Sequence, residues 1–181
     1  ALPAFASICP GDSITLKGSG ASTYAWSPAT GLSATTGDSV KASPSGNTTY
    51  TVTGKDGNNC SDTATTSITV NALPNVSVSP VSVSICAGDS ATLTANGGLS
   101  YTWTPATGLN PITGSPVKAS PPGNTTYIVT GTDINGCKDT GAATVTISTQ
   151  ATAVIDPAGP FCTAQGIQAL TANPAGGTWA G

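Results

Sequence analysis

The stretch Ile8-Cys9-Pro10-Gly11-Asp12-Ser13-Ile14-Thr15-Leu16 returns as Ile85-Cys86-Ala87-Gly88-Asp89-Ser90-Ala91-Thr92-Leu93. Working outward from it, Trp26, Tyr50 and Cys60 return as Trp103, Tyr127 and Cys137, each displaced by 77 residues. Residues 9–70 align with 86–147 without a gap, with 35 identities in 62 positions. A third copy begins at Cys162, which precedes Trp179 by the same 17 residues that separate Cys9 from Trp26. Ala1-Leu2-Pro3 matches Ala72-Leu73-Pro74, the linker between the first two copies. A fixed period of this kind marks an array of like structural units. The chain therefore reads as an excerpt from a longer array, with repeat 1 at 1–71, repeat 2 at 72–148 and the truncated start of a divergent third repeat at 149–181.

Within each copy the hydrophobic period is two. Ser13-Ile14-Thr15-Leu16 and Ser90-Ala91-Thr92-Leu93 alternate polar and apolar, as half-buried strands do. Tyr24-Ala25-Trp26 and Tyr101-Thr102-Trp103 predict the next strand, with both rings on one face. Pro28 to Pro44 and Pro105 to Pro122 are too punctuated by proline for long regular elements. Thr49 to Thr53 and Thr126 to Thr130 alternate again, and Thr66 to Val70 with Thr144 to Ile147 gives the last strand. Asp56-Gly57-Asn58 and Asp133-Ile134-Asn135-Gly136 are turn signals. No segment carries a helical period. The expectation is an all-β chain of tandem Greek-key sandwiches, each of about 77 residues.

Composition narrows the chemistry. The eight acids are all Asp and the five bases all Lys, while Glu, Arg, His and Met are absent. Ser and Thr supply 51 residues, and the 22 Gly and 14 Pro favour turns. Without His there is no Ser-His-Asp or Cys-His nucleophile pair. Without Arg, and at a net charge of −3, a phosphate-tracking nucleic-acid surface is not expected. No apolar run is long enough for a membrane helix, and no cofactor or enzyme activity is expected.

Candidate sites fall into four groups. Cys9 to Cys60 and Cys86 to Cys137 are both 51 apart, so the economical pairing is one disulfide within each complete repeat, in an oxidising compartment. One tension accompanies it, since a Cys before the second strand and one at the last turn could lie at opposite ends of a sandwich. Cys162 is left with its partner outside the chain. The segments Asp56 to Asp62 and Asp133 to Asp139 share a D-x-N-x-x-x-D pattern, which makes Asp56, Asp62, Asp133 and Asp139 weak Ca²⁺ candidates; Asx turns explain the same residues without an ion. Tyr24 and Tyr101 are the candidates for stacking against a sugar, whereas Trp26, Trp103, Tyr50 and Tyr127 are expected in the core, the Trp on the third strand and the Tyr where a tyrosine corner would stand. Ser13, Ser39, Thr63 and Ser90 each follow an Asp and precede a small or apolar residue, a pattern explained locally by strand-opening turns.

The run Ile-Cys-x-Gly-Asp-Ser, Tyr-x-Trp-x-Pro-Ala-Thr-Gly-Leu, Thr-Thr-Tyr-x-Val-Thr-Gly and Asn-x-Cys resembles the tandem PKD-like and immunoglobulin-like repeats of giant Bacteroidetes cell-surface proteins, the mobile adhesin of gliding bacteria among them. The likeness covers both full copies, and residues 157–181 look like a divergent subtype. It implies export by the type IX route, display on the outer bacterial surface, and no catalytic residue to transfer. The Asp-Ser/Thr pattern also looks like the O-glycosylation signal of that phylum. The leading expectation is a non-catalytic structural and adhesive repeat segment whose partners are neighbouring repeats and a polysaccharide or solid substratum. The alternative is a carbohydrate-binding accessory module of an exported enzyme, which requires exposed, coplanar aromatic rings.

Overall fold

The computed structural model describes residues 3–148, with the two strand pieces 154–155 and 172–173. Repeat 1 comprises β1 (Phe5–Ile8), β2 (Ile14–Lys17), β3 (Thr23–Ser27), β4 (Ser39–Ala42), β5 (Thr48–Lys55) and β6 (Ser61–Val70). Repeat 2 comprises β7 (Ser77–Ser79), β8 (Ser82–Cys86), β9 (Ala91–Asn96), β10 (Ser100–Thr104), β11 (Leu109–Asn110), β12 (Val117–Ala119), β13 (Thr125–Thr132) and β14 (Lys138–Ser148). Beyond them, β15 (Val154–Ile155) pairs with β16 (Ala172–Asn173). The remainder of the expected third repeat, Cys162 included, lies outside the described residues.

The period-two pattern does what it predicts. Along β5, Tyr50 and Val52 point into the core, and along β13 Tyr127 and Val129 do the same. In repeat 1, one sheet runs β1-β6-β5-β3 and packs on the pair β2-β4; in repeat 2, β8-β14-β13-β10 packs on β7-β9-β12-β11. Each repeat thus buries its own apolar cluster between two sheets, one built on Leu16, Trp26 and Tyr50, the other on Leu93, Trp103 and Tyr127. This is the immunoglobulin-like sandwich expected from the sequence.

Three features go beyond the sequence reading. Phe5–Ile8 and Ser82–Cys86 form strands that run parallel to the last strand of their own repeat, Ile8 opposite Val70 and Cys86 opposite Ser148. The proline-rich stretch contains short strands, β4 and β12, whose Val40 and Val117 reach the core. Gly31 and Gly108 turn the chain beside them at φ 73° and 71°, where an added Cβ would strike the backbone of Pro44 or Pro121. The residues after the linker form β7, paired with β9 and sending Val76 and Val78 into the second core.

Candidate functional site

Two ends of each sandwich matter. At the entry pole, β5 turns into β6, or β13 into β14, through Asp56–Cys60 or Asp133–Cys137. At the exit pole, the parallel pair β1/β6, or β8/β14, finishes beside Cys9 or Cys86. The two cysteines of a repeat are therefore separated by the length of its last strand. β6 has 10 residues, and at about 3.3 Å per residue it spans about 30 Å. A disulfide needs Cα atoms about 4.4–6.8 Å apart, so the expected Cys9–Cys60 and Cys86–Cys137 pairings do not form.

Instead, Cys9 is bonded to Cys137, 128 positions away, with Cα atoms 5.4 Å apart. The bond joins the exit pole of repeat 1 to the entry pole of repeat 2, across the same joint that the linker spans. Cys60 and Cys86 are free and exposed. Linker and disulfide are two covalent ties between the same two poles. Asn71 adds to the first, its backbone N–H donating to the Ile8 carbonyl at 2.9 Å and its side-chain amide to Ser7 Oγ at 2.7 Å. Pro74 in the linker is buried. Beside the disulfide an open crevice is lined by residues of both repeats, among them Ile8, Cys9, Asp12, Asn135 and Gly136.

The turns that present the cysteines are built by their aspartates. Asp133 Oδ1 accepts from the backbone N–H of Asn135 and of Cys137, both at 2.8 Å. Asp56 Oδ1 does the same for Asn58 and Cys60, at 2.8 and 2.9 Å. Asp62 and Asp139 each accept from the following backbone N–H. Each of the four carboxylates so engages its own backbone, and no group of three or more Cys or Asp that could hold a metal forms among the described residues. These bonds are those of Asx turns, the reading that needs no ion.

The aromatic residues divide differently from a stacking platform. Trp26 and Trp103 are buried, their indole N–H donating to Gly37 and Gly114 carbonyls at 2.8 and 2.9 Å. Tyr50 and Tyr127 are wholly buried and donate to Thr30 and Thr107 carbonyls at 2.6 and 2.7 Å. Those carbonyls lie 20 residues upstream, so each hydroxyl ties β5 or β13 to the proline-rich crossing rather than closing a local tyrosine corner. Burial raises both phenol pKa values above 10.0. Tyr24 and Tyr101, the stacking candidates, are half-buried against the cores. Each hydroxyl is held by the N–H and carbonyl of a residue three positions back, Ala21 or Gly98. Gly18 lies against the Tyr24 ring, which an added Cβ would strike, whereas a Cβ at Gly131 would strike Val76 and stand 3.2 Å from the Tyr101 ring. Both rings thus pack in part against the cores, and the Tyr24 ring also borders open crevices.

Ser13, Ser39, Thr63 and Ser90 are all exposed. Asn47 and Asn124, which the sequence reading did not single out as structural, accept from the backbone N–H of Val70 and Ile147 at 2.8 and 2.7 Å. The repeated Gly-Asn-Thr-Thr-Tyr was the available signal. No helix among the described residues is long and apolar enough to cross a membrane.

Residues 74–157 match the family model described as "Ig-like domain CHU_C associated". The chain is also similar to three solved structures. It is 11% identical to the N-terminal four Ig domains of Dscam1 isoform 1.9, covering 80% of this chain and 43% of that one with a TM-score of 0.36. It is 13% identical to the insect immune protein hemolin, covering 78% and 44% with a TM-score of 0.36. To protocadherin gammaB7 EC3-6 it is 13% identical, covering 82% and 46% with a TM-score of 0.32. The chain thus spans less than half the length of each of these structures. No match is found among curated proteins.

Proposed function

We propose that the chain is a non-catalytic structural and adhesive segment of a secreted bacterial cell-surface protein, holding adhesive parts away from the cell. The observation that carries this reading is the joint. Two sandwiches with separate cores are tied pole to pole by a linker and by Cys9–Cys137, so length is added along one direction and bending at the joint is restrained. Independent cores let such an array lengthen by adding units. A disulfide between two immunoglobulin-like domains fits an oxidising, extracellular setting, and the charge-poor Thr/Ser surface suits a long exposed stalk.

The partners in this reading are neighbouring repeats and a polysaccharide or solid substratum, engaged weakly by each unit and collectively by many. Exposed Ser13, Ser39, Thr63 and Ser90 are the sites at which O-linked glycan would hydrate the stalk. Gliding and type IX export extend the same reading to the parent protein. The test is to delete whole repeats from that parent and measure cell attachment and movement. Graded loss with repeat number is expected; unchanged attachment would refute the adhesive role.

A further inference from the structure

We infer that Cys60 and Cys86 are the two half-sites of a further inter-repeat disulfide, closed against another repeat of this type exit pole to entry pole, as in the joint already present. Cys60 occupies the position of Cys137 and Cys86 that of Cys9, each displaced by 77 residues. The paired cysteines show which pole meets which.

The backbone frames are already formed at the free positions. The Cys60 turn repeats the Cys137 turn bond for bond: the first Asp N–H donates to the Cys carbonyl at 3.0 Å in one and 2.9 Å in the other. Their Asp carboxylates also cap the same two amides. Asn59 takes the left-handed conformation at φ 65°, where Gly136 has 82°. At the other pole, Asp12 N–H donates to the Cys9 carbonyl and Asp89 N–H to the Cys86 carbonyl, both at 3.1 Å, with Gly11 and Gly88 at φ 87° and 93°.

Burial separates used poles from unused ones. In the joint, Cys137 is 1% exposed and Ile8 8%. Their counterparts Cys60 and Ile85 are exposed and half-buried. A second copy of the chain, bringing its Cys60 pole to the Cys86 pole of the first, would cover both. The bond forms by thiol–disulfide exchange with a small disulfide such as oxidised glutathione. The Cys86 thiolate attacks it and releases one glutathione thiol, and the Cys60 thiolate then displaces the second. Two protein thiols are oxidised and one glutathione disulfide is reduced to two thiols.

The inference rests on the reading of the chain as a pole-to-pole array, but its test is separate from attachment. The full chain carrying C162S is equilibrated in a glutathione redox buffer and its cross-links are mapped by mass spectrometry. The expected result is a disulfide-linked ladder of chains containing Cys60–Cys86 between copies, with Cys9–Cys137 intact within each. The C60S and C86S variants, each also carrying C162S, are then mixed. The heterodimer should exceed either homodimer by about tenfold beyond the roughly twofold excess of random pairing, the factor that about 1.4 kcal/mol of docking preference yields. A statistical mixture of dimers, glutathione adducts alone, or Cys9–Cys60 and Cys86–Cys137 links would each overturn the inference. Because both substituted cysteines are exposed, loss of folding does not confound the comparison; an unchanged Cys9–Cys137 link in each variant verifies it.

Discussion

Repeat 2 closes its core with a strand that repeat 1 lacks among the described residues. Val76 and Val78 enter from the linker side, against Gly131 and Gly141. In repeat 1 the corresponding place, between Gly18, Tyr24, Val52, Gly54 and Ala64, is a cavity of about 290 Å³ open at the entry pole. The second cluster also gains Ala95, whose counterpart is Gly18. The difference shows that the segment after β6 does two tasks. It connects the repeats, and it completes the sandwich on its far side.

The largest expected effect tests whether the two cores are separate. Leu16 and Leu93 are each fully buried, one in each cluster. Leu93→Ala should cost repeat 2 about 2–5 kcal/mol. Hydrogen exchange should then show lost protection in β13 and β14 with β5 and β6 unchanged, and Leu16→Ala the reverse. Joint loss in both repeats would mean that one cooperative unit spans the joint, and the contrast between the repeats would collapse.

The next effect concerns β7 itself. Val78→Ala removes two buried methyl groups and should cost about 1.5–3 kcal/mol, all of it in repeat 2. Amides of β9, which pairs with β7, should lose protection first. If β9 exchange is unchanged, β7 is an ornament on the second sandwich rather than a closing strand.

Much of this was legible in the sequence, and the omissions have physical causes. The 77-residue period and the alternation of β2, β3 and β5 pointed to the sandwich, because a half-buried strand writes period two into its own residues. β7 was less legible: Val76-Ser77-Val78 alternates, but it lies next to the linker, and the 77-residue displacement carries Val76 and Ser77 outside the given sequence. The cysteine spacing misled because equal separations along the chain are equally consistent with pairing inside a repeat and between repeats. Only the parallel pairing of β1 with β6 and of β8 with β14 sets the two cysteines at opposite poles. The partial burial of Tyr24 and Tyr101 was illegible for a related reason: the glycines beside their rings come from other strands and turns.

Smaller effects arise at the buried tyrosines, which the two repeats share. Tyr50→Phe and Tyr127→Phe each leave a carbonyl of the proline-rich crossing without its donor, at a cost of about 1–2 kcal/mol in the repeat concerned. Their ionisation gives a pH dependence of definite sign. Burial raises the folded pKa above the ordinary 10.0, so the unfolded chain releases these protons first. The stability is fully present below pH 10 and is lost as pH rises through the raised folded value. Alkaline unfolding monitored by tyrosinate absorbance should show this slope in the parent and a reduced slope in each Phe variant. An equal slope in all three would place the titration elsewhere.

The smallest effect separates a bond that serves only a sandwich from one that also serves the joint. Asn124 and Asn47 each cap one backbone N–H near the end of the last strand, at Ile147 and Val70, and losing either should cost about 1 kcal/mol. The two differ in the neighbour of the capped residue. Val70 is succeeded by Asn71, which holds Ser7 and Ile8 directly beside Cys9. Asn47→Ala should therefore loosen the linker side of the joint, leaving Cys9–Cys137 to hold it alone, whereas Asn124→Ala should leave the joint unchanged. Relaxation of the Asn71 amide measures this in the oxidised chain. Reduction of Cys9–Cys137 should then free the inter-repeat angle far more in Asn47→Ala than in Asn124→Ala, because only the former has lost support for both ties. Equal response of the two variants would show that the disulfide sets the joint without help from the linker.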